Sequence, residues 1–239
     1  MNTSAKVTTS SKNVTLDNKF IDELIAMKEI KYHHINLLVY LKDRATLEEG
    51  GLRFIKEITL EEINTFMNGD VKCRTTKKFL NDLIFLDLIY VEGAKITPKK
   101  VLSITLDSRV TQDNGSFTII PEALIHSYPI GISTYISIRK YHSEVAKISI
   151  PQIQKTSKVS KRELQYKIIK DLEALEFTYI GVGGYNNANT YMCRDYSKIE
   201  FTRTYNKYNP KKNLITSNIV TNKVMQDKED IQEERSCIG

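Results

Sequence analysis

Val159-Ser-Lys-Arg-Glu-Leu-Gln-Tyr-Lys-Ile-Ile-Lys-Asp-Leu-Glu-Ala-Leu-Glu-Phe177 is the stretch that decides how the whole chain is interpreted. Ser160 and Glu163 have the spacing of a capping box, in which the hydroxyl oxygen accepts one backbone N–H and the carboxylate accepts another. Apolar residues then recur at helical spacing, at Leu164, Ile168, Leu172 and Leu175. The stretch therefore predicts a helix over residues 161–177 with one buried face.

The segments around this helix predict a small α+β unit. The pattern before it predicts a strand, a helix, a short strand, a short helix and a turn, over Phe117–Pro121, Ile130–Tyr141, Lys147–Ile150, 151–156 and Ser157–Ser160. Pro151 suits a first helical turn, because its missing N–H would have no partner there. After the helix, β-rich segments at 178–182 and 189–193 enclose a hairpin tip of Gly and Asn, which tolerate the positive φ of tight turns.

An earlier part of the chain repeats this order of elements. The predicted elements are a helix, a strand, a capping box, a second helix and two strands, at Tyr32–Arg44, Leu52–Ile58, Thr59/Glu62, 73–88, Ile89–Gly93 and Val101–Leu106. Residues 94–100 form the loop between the last two strands. The two blocks share their order and not close sequence identity. We expect two similar units joined by a turn-rich linker over residues 107–116.

This order of helix, strand, short helix, turn, long helix and two-stranded wing resembles the winged helix-turn-helix domain. Family members often read Val-Ser-x-Arg-Thr-Val at the start of the recognition helix, and Val159-Ser-Lys-Arg162 and Arg74-Thr75 match parts of that pattern. Glu163 and Glu176 depart from it, at positions where Thr and Gly are common. The resemblance implies an α+β fold with two winged helix-turn-helix domains in tandem. The expected parts of the chain are a flexible arm, the first domain, the second domain and a polar C-terminal tail, at residues 1–16, 17–110, 117–203 and 204–239.

Positive charge is concentrated in two islands, one at each predicted recognition helix. The chain carries 35 Lys and Arg against 29 Asp and Glu, a net charge of +6. Residues 151–170 hold six bases and one acid, whereas residues 1–69 hold nine bases and ten acids. The smaller island is Lys72, Arg74, Lys77 and Lys78. Because DNA is a polyanion whose major groove admits one α-helix, this placement predicts double-stranded DNA as the partner.

Residues that point away from the apolar faces, and those on the wings, are the candidate DNA contacts. Arg74 and Arg162 are candidate base readers, because a guanidinium can pair with guanine O6 and N7. The expected helix contacts to phosphate and sugar are Lys72, Thr75, Lys77, Lys78, Lys155, Lys158, Ser160, Lys161, Tyr166, Lys167 and Lys170. The expected wing contacts, to a minor groove or to the DNA backbone, are Lys95, Lys99, Lys100, Tyr185, Asn186, Asn187 and Asn189.

Patterns for catalysis, cofactors and metals are not found in the sequence. No Ser/His/Asp order or carboxylate pair stands out, and Gly181-Val-Gly-Gly184 lacks the Lys-Ser/Thr that completes a phosphate loop, so we expect no enzyme. His126 and His142 have no Cys or Asp partner at ligand spacing, so we expect no metal site and no cofactor.

The same inventory predicts a location. The three cysteines have neither disulfide nor ligand spacing, which is typical of a reducing compartment. No apolar run reaches the roughly 20 residues that a membrane-spanning helix needs. Residues 1–19 have no apolar core of a secretory signal. We therefore expect a cytoplasmic, nucleoid-associated protein without membrane partners.

Two winged helices in one chain resemble the replication initiator proteins of plasmids and phages of Gram-positive bacteria. The resemblance implies that both domains grip an origin, that the first domain can also form a homodimer, and that the first domain or the tail meets replication proteins. Transcription regulation at an operator, with transcription proteins as partners, predicts the same DNA contacts. Only the location of the target sites separates these two hypotheses. A winged-helix protein-interaction module without DNA contact is the third.

Overall fold

Short helices and small antiparallel sheets make up the fold, and the predicted α+β class is confirmed. The structure is a computed structural model. It describes residues 13–47, 53–67, 73–93, 96–112, 115–140, 145–181, 188–193, 199–204 and 216–221. Within these ranges, no helix combines the length and the apolar character needed to cross a membrane.

The first half of the chain builds a sheet with helices packed on it. Its elements are β1 (Asn13–Asp17), α1 (Asn18–Ala26), α2 (Tyr32–Arg44), β2 (Thr46–Leu47), β3 (Arg53–Ile58), α3 (Leu60–Phe66), α4 (Cys73–Phe85), β4 (Ile89–Glu92), β5 (Leu102–Leu106) and α5 (Ser108–Thr111). The sheet has the order β2-β3-β5-β4, so the last strand lies between β3 and β4. The predicted helix at α2 and the predicted hairpin of β4 and β5 are confirmed.

The second half repeats the order of α2 to β5. Its elements are β6 (Phe117–Pro121), α6 (Glu122–Ser127), a 3-10 turn (Pro129–Gly131), α7 (Ile132–Arg139), β7 (Val145–Ile148), α8 (Ile150–Ser157), α9 (Lys161–Glu163), a π-helical turn (Leu164–Ile168), α10 (Ile169–Ala174), β8 (Thr178–Gly181) and β9 (Asn189–Cys193). The sheet order is β7-β9-β8, again with the last strand in the middle. We call the continuous run from α9 to α10 helix 161–174.

Local sequence signals determine where two of these helices begin. Thr59 Oγ1 accepts the Glu62 N–H at 3.2 Å, and Glu62 Oε2 accepts the Thr59 N–H at 2.6 Å, which confirms the predicted capping box. The hydrogen bonds that the Thr59 N–H and hydroxyl donate to the Glu62 carboxylate hold the pKa of Glu62 below its usual range. At the start of α8, Ser149 is the capping residue and Pro151 lies in the first turn, as predicted from its missing N–H.

β1 and β6 are equivalent strands of the two halves. Each strand precedes a helix, and each shows the same succession of an exposed, a buried, a partly buried and two buried positions. They pair antiparallel, with Thr15 opposite Ile119 at the centre of the register. The register is symmetric about this central pair, with the first residue of each strand opposite the last residue of the other, so the two strands are related by a local two-fold axis. This pairing is a feature that the sequence analysis missed.

Two segments predicted as irregular contain regular structure. Residues 13–16 belong to β1, where Val14 and Leu16 are buried, so the prediction of a flexible arm is wrong for these residues. The predicted linker over 107–116 contains α5, whose Val110 is fully buried. In both segments single apolar side chains enter the core, although the surrounding composition is polar.

The predicted polar tail also contributes a strand. β10 (Ile199–Thr204) and β11 (Thr216–Thr221) pair antiparallel along six residues each. The sequence of the tail also predicts a short helix near 219–234; this prediction is wrong for residues 219–221, and the rest of that segment lies outside the described residues. The composition Thr-Ser-Asn-Ile-Val-Thr is rich in β-branched residues, which favour a strand.

The hydrophobic core continues from one half into the other, with α2 packed against α7. Asn36 on α2 is buried at this contact, and its Oδ1 accepts the Ser133 N–H at 3.0 Å. Its Nδ2 donates to the Ile130 carbonyl at 3.5 Å. At the edge of the contact, Lys140 Nζ donates to Asp22 Oδ1. The two predicted units are therefore joined by a shared core and by buried hydrogen bonds.

Candidate nucleic-acid interface

Helix α4 presents the first group of candidate DNA contacts. Arg74, Thr75 and Lys78 are exposed, whereas Thr76 is fully buried. Thr76 Oγ1 donates to Asn64 Oδ1 on α3 at 2.7 Å, which fixes how α4 is rotated against the preceding helix. The first turn therefore holds Arg74 and Thr75 outward, as the sequence predicts.

Lys77 is less exposed than Arg74, Thr75 and Lys78 on the same helix. Its side chain is partly buried, and its Nζ donates to the Ile96 carbonyl at 2.8 Å. Lys77 therefore links α4 to the loop between β4 and β5. The phosphate contact of Lys77 stays a prediction, and its ammonium group also binds this loop carbonyl.

The loop between β4 and β5 carries further cations. Lys99 and Lys100 are exposed. Lys100 folds back over the hairpin, so that a Cβ on Gly93 would lie 2.8 Å from Lys100 Nζ. Gly93 has a φ of +100°, which L side chains rarely adopt. Glycine at this position thus permits both the turn and the close approach of the lysine.

Helix 161–174 presents the second group. Ser160 caps it, accepting the Glu163 N–H at 3.2 Å, while its hydroxyl donates to Glu163 Oε2 at 2.7 Å. The predicted bond from the Glu163 N–H to the hydroxyl is confirmed, whereas the carboxylate, predicted to accept the Ser160 backbone N–H, accepts the Ser160 hydroxyl. The exposed residues of this helix and of α8 that the sequence predicted as contacts are Lys155, Lys161, Arg162, Tyr166, Lys167 and Lys170. Lys170 Nζ lies 5.9 Å from the ring centre of Tyr166, so these two side chains form a cation–π pair.

A π-helical turn interrupts helix 161–174 in its middle. The Ile169 N–H donates to the Leu164 carbonyl, five residues back, which inserts one residue into the turn. Ile169 consequently faces the core with 6% exposure, and Leu175 is 44% exposed. The prediction that Leu175 continues the buried stripe is wrong, because the inserted residue rotates the last turn outward.

Lys158, a predicted phosphate contact, binds a backbone carbonyl of the first half. It adopts the left-handed conformation at φ +58°, and its Nζ donates to the Met27 carbonyl in the first half. Burial lowers its pKa. Its side chain therefore ties α8 to the end of α1, and the phosphate contact of Lys158 stays a prediction.

The remaining predicted contacts fall, in the sequence, before α4, between β4 and β5, and between β8 and β9 or at the start of β9. Lys72, Lys95, Tyr185, Asn186 and Asn187 lie outside the described residues. Asn189 is partly buried in β9, where its Nδ2 donates to the Tyr191 hydroxyl at 3.2 Å. Asn189 therefore belongs to the sheet and not to the exposed tip.

A cavity of about 710 Å³ lies between the two candidate helices. Thr75 and Lys78 line it from α4, and Ser160 and Glu163 line it from helix 161–174. Glu163 is one of three carboxylates on its wall, the others being Glu29 and Asp82. Three lysines, Lys31, Lys78 and Lys158, line the same wall, so the carboxylates do not outnumber the lysines there.

Two neighbouring histidines of α2 line the same cavity. His34 Nδ1 accepts the Lys31 N–H at 2.8 Å, and its Nε2 lies 3.2 Å from Asp82 Oδ2, so the ring connects α2 to α4. The His33 ring stacks on Phe79 at 5.0 Å. Burial lowers the pKa of His34, and burial together with the neighbouring His34 lowers the pKa of His33 to about 4.

The lowered histidine pKa values predict that acid destabilises the fold. A histidine has a pKa of about 6.5 in the unfolded chain, so the unfolded state binds more protons below that pH. The stability is complete above about pH 6.5 and falls as the pH drops toward 4, the value for His33. Melting temperatures measured from about pH 7.5 to about pH 4.5, a range that covers most of this decline, test the predicted loss of stability. His33→Gln should show a shallower decline, and an equal decline in both proteins would contradict the assignment to His33.

The structure also brings together acidic and imidazole groups that the sequence analysis kept apart. His126 Nε2 lies 3.3 Å from Asp43 Oδ2 and 3.8 Å from Glu122 Oε1. The sequence shows no Asp at ligand spacing from His126, and the structure supplies Asp43 from α2, far away in sequence. These are the groups in the described residues that could hold a metal ion.

Comparison of the chain with protein-family models, with curated proteins and with solved structures finds no match.

Proposed function

We propose that the chain is a tandem winged-helix protein that binds double-stranded DNA in the cytoplasm and initiates replication of a plasmid or phage. One observation carries the proposal. α4 and helix 161–174 occupy the same place in two halves of like order, and both expose an arginine in the first turn, Arg74 and Arg162. Such a helix fits a major groove, which is about 12 Å wide.

The charge at the start of these helices supports an anionic partner. The N-terminal end of a helix carries about half a positive charge, so a cation there costs about 0.3–1 kcal/mol in the free protein. Arg74, Lys161 and Arg162 all lie in first turns. A phosphate at the same place gains from both the helix end and the side chains. The cations in these first turns therefore destabilise the free protein slightly and stabilise its complex with DNA.

The local two-fold axis that relates β1 and β6 supports a role in which one chain reads two DNA half-sites. A dimeric helix-turn-helix protein reads two half-sites with two symmetric helices. Here the two halves that carry the candidate helices belong to one chain and share one core. Two winged helices in one chain also resemble the arrangement in replication initiators. The transcription regulator remains the alternative, with the same contacts.

Selection of bound duplexes from a library of the source genome, sequenced after washing at two salt concentrations, tests the proposal. We expect a defined motif to survive the higher salt, with its sites repeated in a replication origin. Sites that overlap a promoter would favour the regulator. Recovery of every sequence with a steep loss in salt would reduce the role to phosphate binding, and no recovery at low salt would refute DNA binding.

The salt dependence of binding separates Lys161 from Lys158. If about eight phosphates are neutralised, log K falls with log salt with a slope of about −7. Lys161 is exposed, so Lys161→Ala should reduce the slope by about 1. Lys158 is bound to the Met27 carbonyl, so Lys158→Ala should leave the slope unchanged and lower the melting temperature. Equal changes of slope in the two variants would contradict this assignment.

A further inference from the structure

Three potential metal ligands meet where the two halves join. Asp43 lies near the C-terminal end of α2, and Glu122 and His126 lie on α6. Their ligand atoms all lie within 4.8 Å of one another. Glu122 and His126 are four residues apart on one helix, a spacing that places two side chains on the same face. The cluster thus combines one ligand from the first half with two from the second.

The distances suit a small transition metal. Zinc bonds of about 2.0–2.1 Å at tetrahedral angles place the ligand atoms roughly 3.3–3.4 Å apart. The His126 Nε2 to Asp43 Oδ2 distance is 3.3 Å, and the distance to Glu122 Oε1 is 3.8 Å. Glu122 has a side-chain exposure of 39%, so rotation of its carboxylate can shorten the second distance. Two of the three separations between ligand atoms are therefore at or near the value that zinc needs, and the third lies within 4.8 Å.

The surroundings favour a cation in spite of two nearby bases. A cavity of about 410 Å³ adjoins the cluster and leaves room for water as the fourth ligand. Arg44 and Lys56 line this cavity, together with the acid Glu57 and the cluster itself. With Asp43 and Glu122 included, the wall carries three carboxylates against the two bases Arg44 and Lys56. The C-terminal end of α2 adds partial negative charge at the same place. Asp43 is only 5% exposed, so its carboxylate has little contact with water.

We propose that Asp43, Glu122 and His126 form a site for one divalent transition metal ion, zinc, which joins α2 of the first half to α6 of the second. An ion with one imidazole and two carboxylate ligands is held by both halves at once. This site does not depend on DNA binding, and it replaces the expectation of no metal site. Bound zinc would stabilise the arrangement of the two halves.

Titration of the metal-free full chain with zinc chloride, followed by calorimetry and thermal melting, tests the site. We expect saturable binding of one ion and, at a free zinc concentration of about 100 times Kd, a rise in melting temperature of roughly 5–10 °C. Glu122→Gln should weaken binding at least about tenfold, because it removes a ligand on the surface without disturbing the core. Glu57→Gln, on the wall of the same cavity, should bind zinc as the parent does.

Cobalt chloride identifies the ligand types. We expect visible absorption of tetrahedral cobalt without the intense near-ultraviolet bands of thiolate ligands, and loss of this absorption in Glu122→Gln. Melting without metal should be the same for Glu122→Gln and the parent, which shows that the variant folds. Thiolate bands, or zinc affinity that is unchanged by Glu122→Gln, would overturn the proposal, and so would the absence of zinc binding by the full chain.

Discussion

Replacing Arg74 and Arg162 together by alanine is expected to lower the affinity for a cognate duplex by at least about 30-fold. A guanidinium that reads guanine contributes about 1–3 kcal/mol of discrimination. The two residues lie on separate helices, so their losses should add. Fluorescence anisotropy with a labelled duplex selected by the protein measures the loss, and each single variant should give roughly half of it in free energy.

The matched control removes the same charge elsewhere. Lys19 and Lys28 are exposed, and both lie outside the candidate helices. Lys19→Ala with Lys28→Ala should lower the affinity far less than the arginine pair. Neither double variant should melt below the parent, because all four side chains are exposed and a cation in a first helical turn, such as Arg74 or Arg162, is unfavourable in the free protein. Equal losses in the two double variants would mean that only net charge matters, and no loss in the arginine variant would refute the proposed interface.

Asn36→Ala is expected to destabilise the whole protein by about 1–3 kcal/mol. Its removal leaves the Ser133 N–H and the Ile130 carbonyl without the amide that satisfies them, and an unsatisfied buried polar group costs about this much. For a chain of this size the melting temperature should fall by about 2–4 °C for each kcal/mol. Thermal and urea unfolding measure the change.

The exposed Asn81 provides the control for this substitution. Asn81→Ala on α4 changes the same atoms at the surface, where it should alter stability by less than about 0.5 kcal/mol. Because the core is continuous, Asn36→Ala should still unfold in one transition. Two separated transitions would show that the halves are independent units, and an unchanged midpoint would show that the buried amide adds nothing.

Signals that act within a few residues could be predicted from the sequence. The Thr59/Glu62 box, the first-turn position of Pro151 and the extent of α2 all depend on neighbours in the chain. The orientation of Arg74 follows from the same local periodicity. The fold class and the placement of both candidate helices were therefore accessible from the pattern of residues.

Contacts between distant residues could not be predicted in this way. Lys158 reaches the Met27 carbonyl across 131 positions, and His126 meets Asp43 from the other half. The π-helical turn that exposes Leu175 depends on how the helix packs, since the apolar spacing alone fits an unbroken α-helix. Whether a lysine is free to bind phosphate thus depends on backbone carbonyls that lie far away in sequence.

The pairing of β1 with β6 has a consequence for how the chain is made. Asn18 and Thr118 hydrogen-bond across 100 positions, so the ribosome has synthesised the whole first half before the partner of β1 exists. Until then Val14 and Leu16 lack the strand that covers them. Long-range pairing of this kind slows folding, and exposed strand edges favour aggregation. The first half therefore completes its fold only after the start of the second half has left the exit tunnel.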